Sequence, residues 1–527
     1  MQTPTRVLVS ADTSINATGL GKYCHELCKG LYQDDNFVVA EQGNFGNSSH
    51  ISQIDWKYYP VEPDNSNQKE VIAFSQDREN RYGKWIFEKT LLDFKPDFVI
   101  AINDPWMFSY QGRSPFRDYF HWCISPTIDS APQRDDYLSV YSLADSIFTY
   151  TDWAMEILEE NNIPNLEYTI RMGIDDNIFK PCEDKSELKE KFGLPKDSIV
   201  IGTVMRNQRR KLIPDIIEAF DILMDKLPEE KQRKTFLYLH TTYPDIDAWD
   251  LPYFLLNAKF SNQILFTYFC KHSKTFGCST YQDAKTYSFC SNNLTLFMPS
   301  GKAALSEEQL ADVFNLMDLY IQVASCEGFG VPIIEAAACG VPCAVINYSA
   351  MEDAISNLGV IPLDKSTRFY NDNMNRCKRV YVDKNELAEE LGNLILDIEP
   401  NTIDYELSNR TRENYSWKKC IELWKRGLDK SKLTGLQGKW DSPRRYIKRQ
   451  DVYPAHLSNS ELVEWCNETM MPYNKNKYGL QSLLAIRDIH YGIVPSKNPR
   501  PFDRDKMFKI FQNHAETFNH YEELRTK

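Results

Sequence analysis

No apolar run in this sequence is long enough to cross a bilayer, and the opening stretch MQTPTRVLVSAD lacks the pattern of a secretory signal. Basic residues are also in the minority: 61 Lys and Arg stand against 74 Asp and Glu, for a net charge of −13. This balance excludes a chain coated in non-specific nucleic-acid-binding charge. The 13 cysteines are scattered through the chain, so we expect reduced thiols in a cytoplasmic protein.

The composition is that of a globular protein. Apolar residues make up 42% and aromatic residues 13% of 527 residues, enough to bury the cores of two or three domains. No internal repeat of solenoid period is present in the sequence.

The chain opens as strand, glycine turn and helix, with RVLVSAD, SINATGLGKY and CHELCKGL in that order. Further strand-like runs lie at 96–102, 119–124, 144–150, 198–204, 236–242, 319–325 and 343–348. Helical patterns lie between some of them, at 153–162 and 212–227. The sequence therefore predicts two α/β halves with parallel sheets, joined near 180–197.

The stretch SCEGFGVPIIEAAACGVPC at 325–343 holds two glutamates, Glu327 and Glu335, separated by a glycine turn. The pattern predicts a strand, a loop and a helix. Glycines let backbone approach a ligand, and the free N–H groups at a helix start favour anionic oxygens. Carboxylates accept hydroxyl hydrogen bonds well, so the segment suits a sugar and a ribose joined by a diphosphate. An ordinary loop with solvated glutamates is the alternative.

This segment resembles the signature of the retaining GT-B glycosyltransferases, in particular glycosyltransferase family 4. Other matches run in family order over about 400 residues: TGLGKY, IRMGIDDNIFKP, IGTVMRNQRRKLIPDIIEAF and NYSWKKCIELWKRGL. The resemblance implies an α/β GT-B fold with two Rossmann-like domains facing a central cleft. It places an acceptor domain at 1–180, a donor domain at 181–415, a helix crossing back to the first domain at 416–430 and a C-terminal extension at 431–527.

The resemblance also implies roles for residues of the donor domain. Arg206 and Lys211 match the pair that binds the diphosphate, where cations offset charge on the leaving group. Glu327 matches the carboxylate that holds hydroxyls of the transferred sugar, and Glu335 matches the one that binds the ribose. The backbone expected to line the sugar and diphosphate runs through Gly328, Phe329, Gly330 and Val331. A solvated basic loop is the alternative for the arginine and lysine.

In the first domain, Gly19 and Gly21 match the loop that approaches the diphosphate and the acceptor. Asp129, in CISPTIDSAP, is the candidate polar residue near the reacting centre, and Asp104, in INDPW, is the second choice. Both aspartates could equally be helix caps or turn residues. The resemblance implies front-face attack that keeps the anomeric configuration, with no protein nucleophile and no metal required for transfer.

Residues 268–293 form a cysteine-rich insert within about 255–300. The insert contains three cysteines and a histidine, which are the residue types that bind structural zinc. The candidate ligands are Cys270, His272, Cys278 and Cys290. The insert resembles a viral-type, or phage-type, ribbon of paired cysteines, but Ser273 and Asn293 replace the second member of each pair. One residue between Cys270 and His272 makes a poor knuckle. We therefore expect a metal-free remnant packed by aromatic residues.

Residues 418–450 carry eleven Lys or Arg against three Asp or Glu, interleaved with aromatic residues. Such a segment is typical of a polyanion surface, and a solvated helix face with a linker is the alternative. The acceptor candidates there are Arg444, Arg445 and Lys448. Together with the viral resemblance, the segment makes a modified or already glycosylated DNA base the leading specific acceptor. Taken together, glycan, lipid-linked and small-molecule acceptors are predicted at least as strongly as the DNA base.

The sequence thus predicts a retaining glycosyltransferase of the cytoplasm, or of the host cytoplasm if viral. It would use a nucleotide-diphosphate sugar, most simply a UDP-sugar, and no further cofactor. The rivals are a nucleotide-sugar epimerase or a phosphorylase on the same fold, and a non-catalytic relative that binds sugar or DNA. The presence of Arg206, Lys211, Glu327 and Glu335 together argues against the non-catalytic relative.

Overall fold

A computed structural model describes residues 3–270, 275–283, 298–299, 304–436, 438–448, 451–470 and 503–527. The chain forms two seven-stranded sheets that follow one another in sequence, the first from residues 5–169 and the second from residues 199–363. Within these described ranges, no helix combines the length and the apolar character needed to cross a bilayer.

The first sheet is entirely parallel and has the strand order β3-β2-β1-β4-β5-β6-β7. Its central strands are apolar on both faces because helices cover both sides of the sheet. The strands are β1 Thr5–Asp12, β2 Phe37–Asn44, β3 Lys57–Pro60, β4 Phe98–Asn103, β5 His121–Pro126, β6 Ser146–Thr149 and β7 Leu166–Thr169. The helices are α1 Gly19–Tyr32, α2 Gln68–Ser75, α3 Lys84–Phe94, α4 Pro105–Phe108, α5 Asp135–Tyr141 and α6 Asp152–Glu160.

The second sheet has the order β11-β10-β9-β8-β12-β13-β14 and is parallel except for β10 and β11. A separate antiparallel hairpin follows it. The strands are β8 Ile199–Val204, β9 Thr235–His240, β10 Ile264–Phe269, β11 Phe276–Thr280, β12 Leu319–Gln322, β13 Cys343–Ile346, β14 Ile361–Leu363, β15 Thr367–Asp372 and β16 Cys377–Val382. The helices are α7 Lys185–Lys191, α8 Ile213–Lys226, α9 Glu229–Lys234, α10 Leu251–Asn257, α11 Glu307–Asn315, α12 Val331–Ala338, α13 Ala350–Leu358, α14 Lys384–Asp397 and α15 Tyr405–Asn414.

Every strand-like run predicted from the sequence contains a strand, and the predicted helices at 153–162 and 212–227 coincide with α6 and α8. Sequence patterns did not reveal β2, whose Glu41 and Gln42 interrupt an apolar run. Glu41 is fully buried and accepts hydrogen bonds from Ser14 N at 2.9 Å and Trp56 Nε1 at 2.8 Å. Tertiary partners that are distant in the chain therefore satisfy this buried polar group.

The chain returns to the first sheet after the second one. Helix α16, Trp417–Gly427, packs on α1, where Trp424 Nε1 donates to Tyr23 Oη at 2.6 Å. Farther on, the Trp440 ring lies 5.6 Å from the Phe116 ring of the first domain. Two further helices, α17 Asn459–Met470 and α18 Arg504–Thr526, follow in the C-terminal extension. The extension therefore covers part of the first domain.

Both sheets contain a point where the strand order reverses, between β1 and β4 in the first sheet and between β8 and β12 in the second. In open parallel sheets, ligands bind outside the carboxyl ends of the strands at such a point. Loops at the carboxyl ends of the two sheets meet one another across a cleft, because Gly328 approaches Thr127 and Gly19 approaches Val331. The topology therefore places a binding site in this cleft.

Candidate active site

Two loops of the second domain bring a lysine, an arginine and a glutamate together. Lys211, after β8, contacts the Oε1 atom of Glu327, after β12. Arg210 Nη1 lies 3.0 Å from Glu327 Oε2 and 2.9 Å from the Cys326 carbonyl oxygen. The Glu327 backbone N–H donates to Ser349 Oγ at 2.9 Å. Glu327 is thus held from several sides, and its orientation is set before any ligand arrives.

Burial is the main electrostatic influence on this group. It lowers the pKa of Lys211, and the neighbouring Arg210 charge lowers that pKa further. The carboxylate of Glu327 in direct contact favours the charged form of the lysine. Lys211 and Glu327 are buried, and the Arg210 side chain is 38% exposed. This set of two cations and one anion is suited to a ligand that carries both anionic oxygens and hydroxyls.

The glycines after Glu327 allow the two domains to touch. A Cβ atom on Gly328 would lie 2.5 Å from Thr127 Cγ2 of the first domain, so a larger residue would push the cleft open. Gly330 has φ +88°, a left-handed conformation that favours glycine, and it precedes the first turn of α12. Across the cleft, a Cβ on Gly19 would lie 3.5 Å from Val331 Cγ2. The start of α12 therefore faces the start of α1.

Glu335 lies on α12 and is buried, with 5% of its surface exposed. Lys22, on α1 of the first domain, places Nζ 3.3 Å from Glu335 Oε1 and 2.9 Å from Glu307 Oε1. Burial raises the pKa of Glu335, and the Lys22 charge opposes that rise. This bridge ties the two domains together at the carboxylate for which the sequence predicts ribose binding.

Asp129 follows β5 and faces the second domain. Its Oδ2 atom lies 3.1 Å from Arg379 Nη1 and accepts a hydrogen bond from Cys326 Sγ at 3.2 Å. Ser130 Oγ donates to Asp129 Oδ1 at 2.9 Å. Cys326 immediately precedes Glu327, so Asp129 lies on the first-domain side of the site that holds Glu327.

Two further carboxyl groups lie at the same edge of the first sheet. Burial raises the pKa of Asp104 to about 6, with Asp129 contributing and Arg210 opposing. Burial also raises the pKa of Asp12 to about 6, and hydrogen bonds from Asn103 and Thr18 oppose it. The carboxyl ends of β1, β4 and β5 therefore carry three aspartates, and two of them, Asp104 and Asp129, lie near enough to Arg210 to interact with its charge.

Arg206 does not join this group. Its Nε and Nη2 atoms donate to Asp245 at 2.7 Å and 3.0 Å, and 59% of its side chain is exposed. The structure brings Arg210, rather than Arg206, to Glu327 alongside Lys211. The assignment of Arg206 to the diphosphate stays a prediction, and it requires this arginine to leave Asp245.

Comparison with known proteins agrees with this architecture. Residues 302–365, which span both glutamates, match the family model described as "Glycosyl transferases group 1". Among solved structures, a sucrose-phosphate synthase from Thermosynechococcus elongatus has a TM-score of 0.55 at 14% identity, over 80% of this chain and 98% of that chain. Anabaena HepE in complex with UDP-glucose has a TM-score of 0.54 at 13% identity, over 80% and 99%. A glycosyltransferase from Rickettsia africae has a TM-score of 0.52 at 13% identity, over 82% and 99%.

The fold is GT-B. No curated protein matches the sequence. The GT-B cleft is the space between the two sheets, where Lys22, Asp129, Glu327 and Glu335 come together. In the first-domain loop, a Cβ on Gly21 would meet the Asn16 carbonyl oxygen at 2.3 Å. In the second-domain loop, the Phe329 ring lies 6.2 Å from the Tyr415 ring.

The zinc hypothesis for the insert falls partly outside the described residues, because His272 and Cys290 are not among them. Cys278 Sγ contacts the Phe192 carbonyl oxygen at 3.3 Å, and Cys270 is buried. Among the residues that the structure describes, one group has metal-ligand spacing, formed by Cys24, Cys28 and Glu41 in the first domain. Zinc binding by the insert stays a prediction.

The acceptor role expected for the basic segment disagrees with its position. Arg445 lies 3.3 Å from Asp118, and Arg444 lies 2.8 Å from Glu523. Asp118 precedes β5, so it lies at the amino edge of the first sheet, whereas the GT-B cleft is at the carboxyl edge. Lys448, although exposed, follows Ile447, whose backbone N–H donates to Asn519. These three residues therefore lie away from the cleft.

Ion pairs also explain much of the charge in the basic segment, where Lys425 pairs with Asp34 and Lys439 with Asp118. Lys432 pairs with Glu167. These contacts attach the end of the second domain and the extension to the first domain. Many of the basic side chains in this segment therefore bind acidic side chains of the first domain.

Three cleft residues were missed at the sequence level. Lys22 lies within TGLGKY, one turn after Gly19, and helical spacing could have placed it on the cleft side. Arg210 stood in the RRK run, where spacing alone does not say which side chain turns inward. Arg379 lies on a hairpin that no sequence pattern revealed.

Proposed function

We propose that this protein is a retaining glycosyltransferase that moves a sugar from a nucleotide-diphosphate sugar to a hydroxyl acceptor. The observation that carries the proposal is the contact of Lys211 and Arg210 with the buried Glu327, beside Glu335 on α12. The match to the family model spans both glutamates. The UDP-glucose complex of Anabaena HepE, which has the same fold, supports UDP-glucose as the first donor to test.

Each donor-side residue has a defined task in this proposal. Lys211 and Arg210 neutralise the diphosphate as the bond to the sugar breaks, together with the N-terminus of α12. Glu327 accepts hydrogen bonds from hydroxyls of the transferred sugar. Glu335 accepts hydrogen bonds from the ribose hydroxyls, whether or not Lys22 keeps its contact with Glu335. Arg206 joins the diphosphate once it has left Asp245.

Transfer follows a front-face route. The acceptor oxygen bonds to the anomeric carbon on the face that the diphosphate leaves, and the departing phosphate oxygen takes the acceptor proton. This route keeps the anomeric configuration without a protein nucleophile, and the two cations supply the charge stabilisation, so we propose transfer without a metal. Asp129 lies on the acceptor side and orients the attacking hydroxyl.

The acceptor most compatible with the observed contacts is a hydroxyl-bearing molecule that enters the cleft from the side of Asp129. A modified DNA base is a second candidate from the sequence, but the ion pairs of Lys425, Lys432 and Lys439 take away much of the charge on which it depended. A location in the cytoplasm, a viral origin and membership of glycosyltransferase family 4 stay predictions from the sequence.

A donor screen tests the proposal. UDP, GDP, ADP and their sugars are added to the wild type, to Glu335→Gln and to Glu389→Gln, an exposed glutamate on α14. A nucleotide at a hundred times its dissociation constant should stabilise the native protein by about 2.7 kcal/mol. We expect one nucleotide to raise the thermal midpoint of the wild type and of Glu389→Gln, and to have much less effect on Glu335→Gln.

Two results would count against the enzyme. If no nucleotide shifts the wild type, the non-catalytic relative becomes the better explanation. If the donor is converted to its epimer, as seen by NMR, while no acceptor receives a sugar, the epimerase is correct. Release of free UDP together with a new glycosidic product of unchanged anomeric configuration supports retaining transfer.

A further inference from the structure

The hairpin formed by β15 and β16 belongs to neither large sheet, yet it is fixed to both domains. The backbone N–H of Lys378 donates to the Ala131 carbonyl oxygen of the first domain at 2.7 Å. In the second domain, Val380 N donates to Ser325 O at 3.1 Å, and Tyr348 Oη donates to Lys378 O at 2.7 Å. The hairpin therefore spans the cleft beside the loop that carries Glu327.

The strand register shows which side chains share one face of the hairpin. Tyr370 lies opposite Arg379 and Arg368 lies opposite Tyr381, so these four share one face of the hairpin. On that face, Arg379 contacts Cys326 Sγ and lies 3.1 Å from Asp129 Oδ2. Because Cys326 adjoins Glu327, one end of this hairpin face lies next to the site proposed for the transferred sugar.

Two large aromatic side chains stand on the same face. Tyr370 is 44% exposed and Tyr381 is 49% exposed, and their ring centroids are 6.2 Å apart. An aromatic ring offers an apolar face with a polar edge, which suits the apolar C–H face of a sugar ring with its surrounding hydroxyls. Two half-exposed rings that adjoin a charged cleft therefore match a carbohydrate.

The charge of Arg379 on this face helps to distinguish an uncharged acceptor from an anionic one. Arg379 is 13% exposed and is paired with Asp129 at 3.1 Å, with Asp372 at 3.9 Å. Its charge is therefore balanced within the protein and is not offered to a phosphate backbone. An uncharged carbohydrate fits this surface better than a polyanion does.

We infer that the Tyr370 and Tyr381 face of the hairpin is the acceptor subsite, and that the acceptor is an uncharged carbohydrate. Its ring packs on the two tyrosines, and its attacking hydroxyl lies at Asp129. Arg379 is a positioning residue, since it acts by orienting Asp129. This inference rests on the proposed glycosyltransferase function and adds the acceptor class to it.

The test separates donor chemistry from acceptor binding. Hydrolysis of UDP-glucose by water, and transfer of glucose to a panel of p-nitrophenyl hexosides, are measured for the wild type, Tyr370→Ala and Tyr381→Ala. The control is Tyr405→Ala, which removes a 61% exposed tyrosine from α15. We expect the acceptor KM to rise roughly tenfold in the two hairpin variants, a loss typical of one good ring contact. Donor hydrolysis should be unchanged in all three variants.

Arg379 is tested by a pair of substitutions. Arg379→Met should lower kcat for transfer by roughly a hundredfold while leaving the donor KM unchanged, because the lost group orients the acceptor. Arg379→Lys should restore part of kcat, since a lysine can still bond to Asp129. A merely structural arginine would instead lower the thermal midpoint and would change the donor and acceptor parameters together.

Three results would overturn the inference. Equal acceptor KM in the hairpin variants and in Tyr405→Ala would remove the subsite. A wild type that hydrolyses UDP-glucose, accepts no hexoside and glycosylates hydroxymethylated duplex DNA would replace the carbohydrate with nucleic acid. A wild type that binds none of UDP, GDP and ADP and hydrolyses none of their sugars would refute the proposed function, and the subsite would fall with it.

Discussion

Lys22 reaches across the cleft to Glu335, with Nζ 3.3 Å from the carboxylate Oε1. The lysine belongs to the first domain and the glutamate to the second. Both are largely buried, with 17% and 6% of their side chains exposed. A buried cation and a buried anion each depend on the other, because neither retains water to replace a lost partner. The ribose carboxylate proposed above is therefore also a link between the domains.

Replacing Lys22 by methionine should destabilise the protein by about 3 kcal/mol at neutral pH, because Glu335 loses its counter-charge. Burial already holds the Glu335 pKa above 4.5, and it rises further without the lysine. The ionised carboxyl then carries a penalty that is absent below pH 4.5 and grows as pH rises. Thermal midpoints at pH 4 and pH 8 check this, with Lys29→Met on the same helix as control. An equal loss at both pH values would show that charge is not the cause.

Asp104→Asn should stabilise the protein at neutral pH. The Asp104 pKa is raised from 3.8 to about 6, so between these two pH values the folded state keeps its proton while the unfolded state releases it. Stability therefore falls as pH rises from about 4 to 6, by about 3 kcal/mol at most for this shift. Unfolding curves from pH 4 to 8 should show the variant equal to wild type at low pH and more stable at pH 7. The exposed Asp35→Asn should show no such divergence, and neither should Asp104→Asn if its carboxyl is solvated.

Arg210 and Arg209 form a natural pair for kinetics. Arg210 contacts Glu327 at 3.0 Å, whereas Arg209 lies over the Trp249 ring at 4.6 Å. Arg210→Ala should lower kcat/KM for the donor by about a hundredfold or more, as expected for a preorganised charge at the leaving group. Arg209→Ala should remain within about threefold of the wild type. Equal effects of the two variants would mean that the basic loop acts only through its overall charge.

Arg206 offers a direct test of the family assignment. If it binds the diphosphate, Arg206→Ala should weaken UDP binding roughly tenfold, a typical value for one charged hydrogen bond. Asp245→Asn should not weaken binding, because it loosens the arginine from its present partner. Isothermal titration with UDP measures both. Unchanged affinity in Arg206→Ala would limit this arginine to its bond with Asp245.

The hydrogen bond between Trp424 and Tyr23 should matter for the attachment of α16. Tyr23→Phe leaves the buried Trp424 Nε1–H without its acceptor at 2.6 Å. The expected cost is about 1–3 kcal/mol in the free energy of unfolding, measured by denaturant titration. Tyr32→Phe, on the same helix but 50% exposed, is the control. Equal stability of the two variants would show that water satisfies the indole.

The sequence allowed much of the fold to be predicted, because strand runs such as those of β4, β5 and β8 are continuous and apolar. Both glutamates of the cleft could also be located, since a glycine turn between a strand and a helix is a local pattern. Strands such as β2 were not predictable, because Glu41 is compatible with burial only beside Ser14 and Trp56, which lie elsewhere in the chain.

Local sequence patterns specify the alternation of strands and helices, the glycine loop between Glu327 and Glu335, and the excess of basic residues near the C-terminus. These are local properties, set by side-chain periodicity and backbone freedom within a few residues. Tertiary packing sets which arginine faces Glu327, brings Lys22 to Glu335 and Arg379 to Asp129, and places Arg445 away from the cleft. Each of these depends on charges brought together from distant parts of the chain. The fold of the second domain sets the distance from Arg210 to Glu327, and the packing of the first domain against the second domain and the extension sets the others.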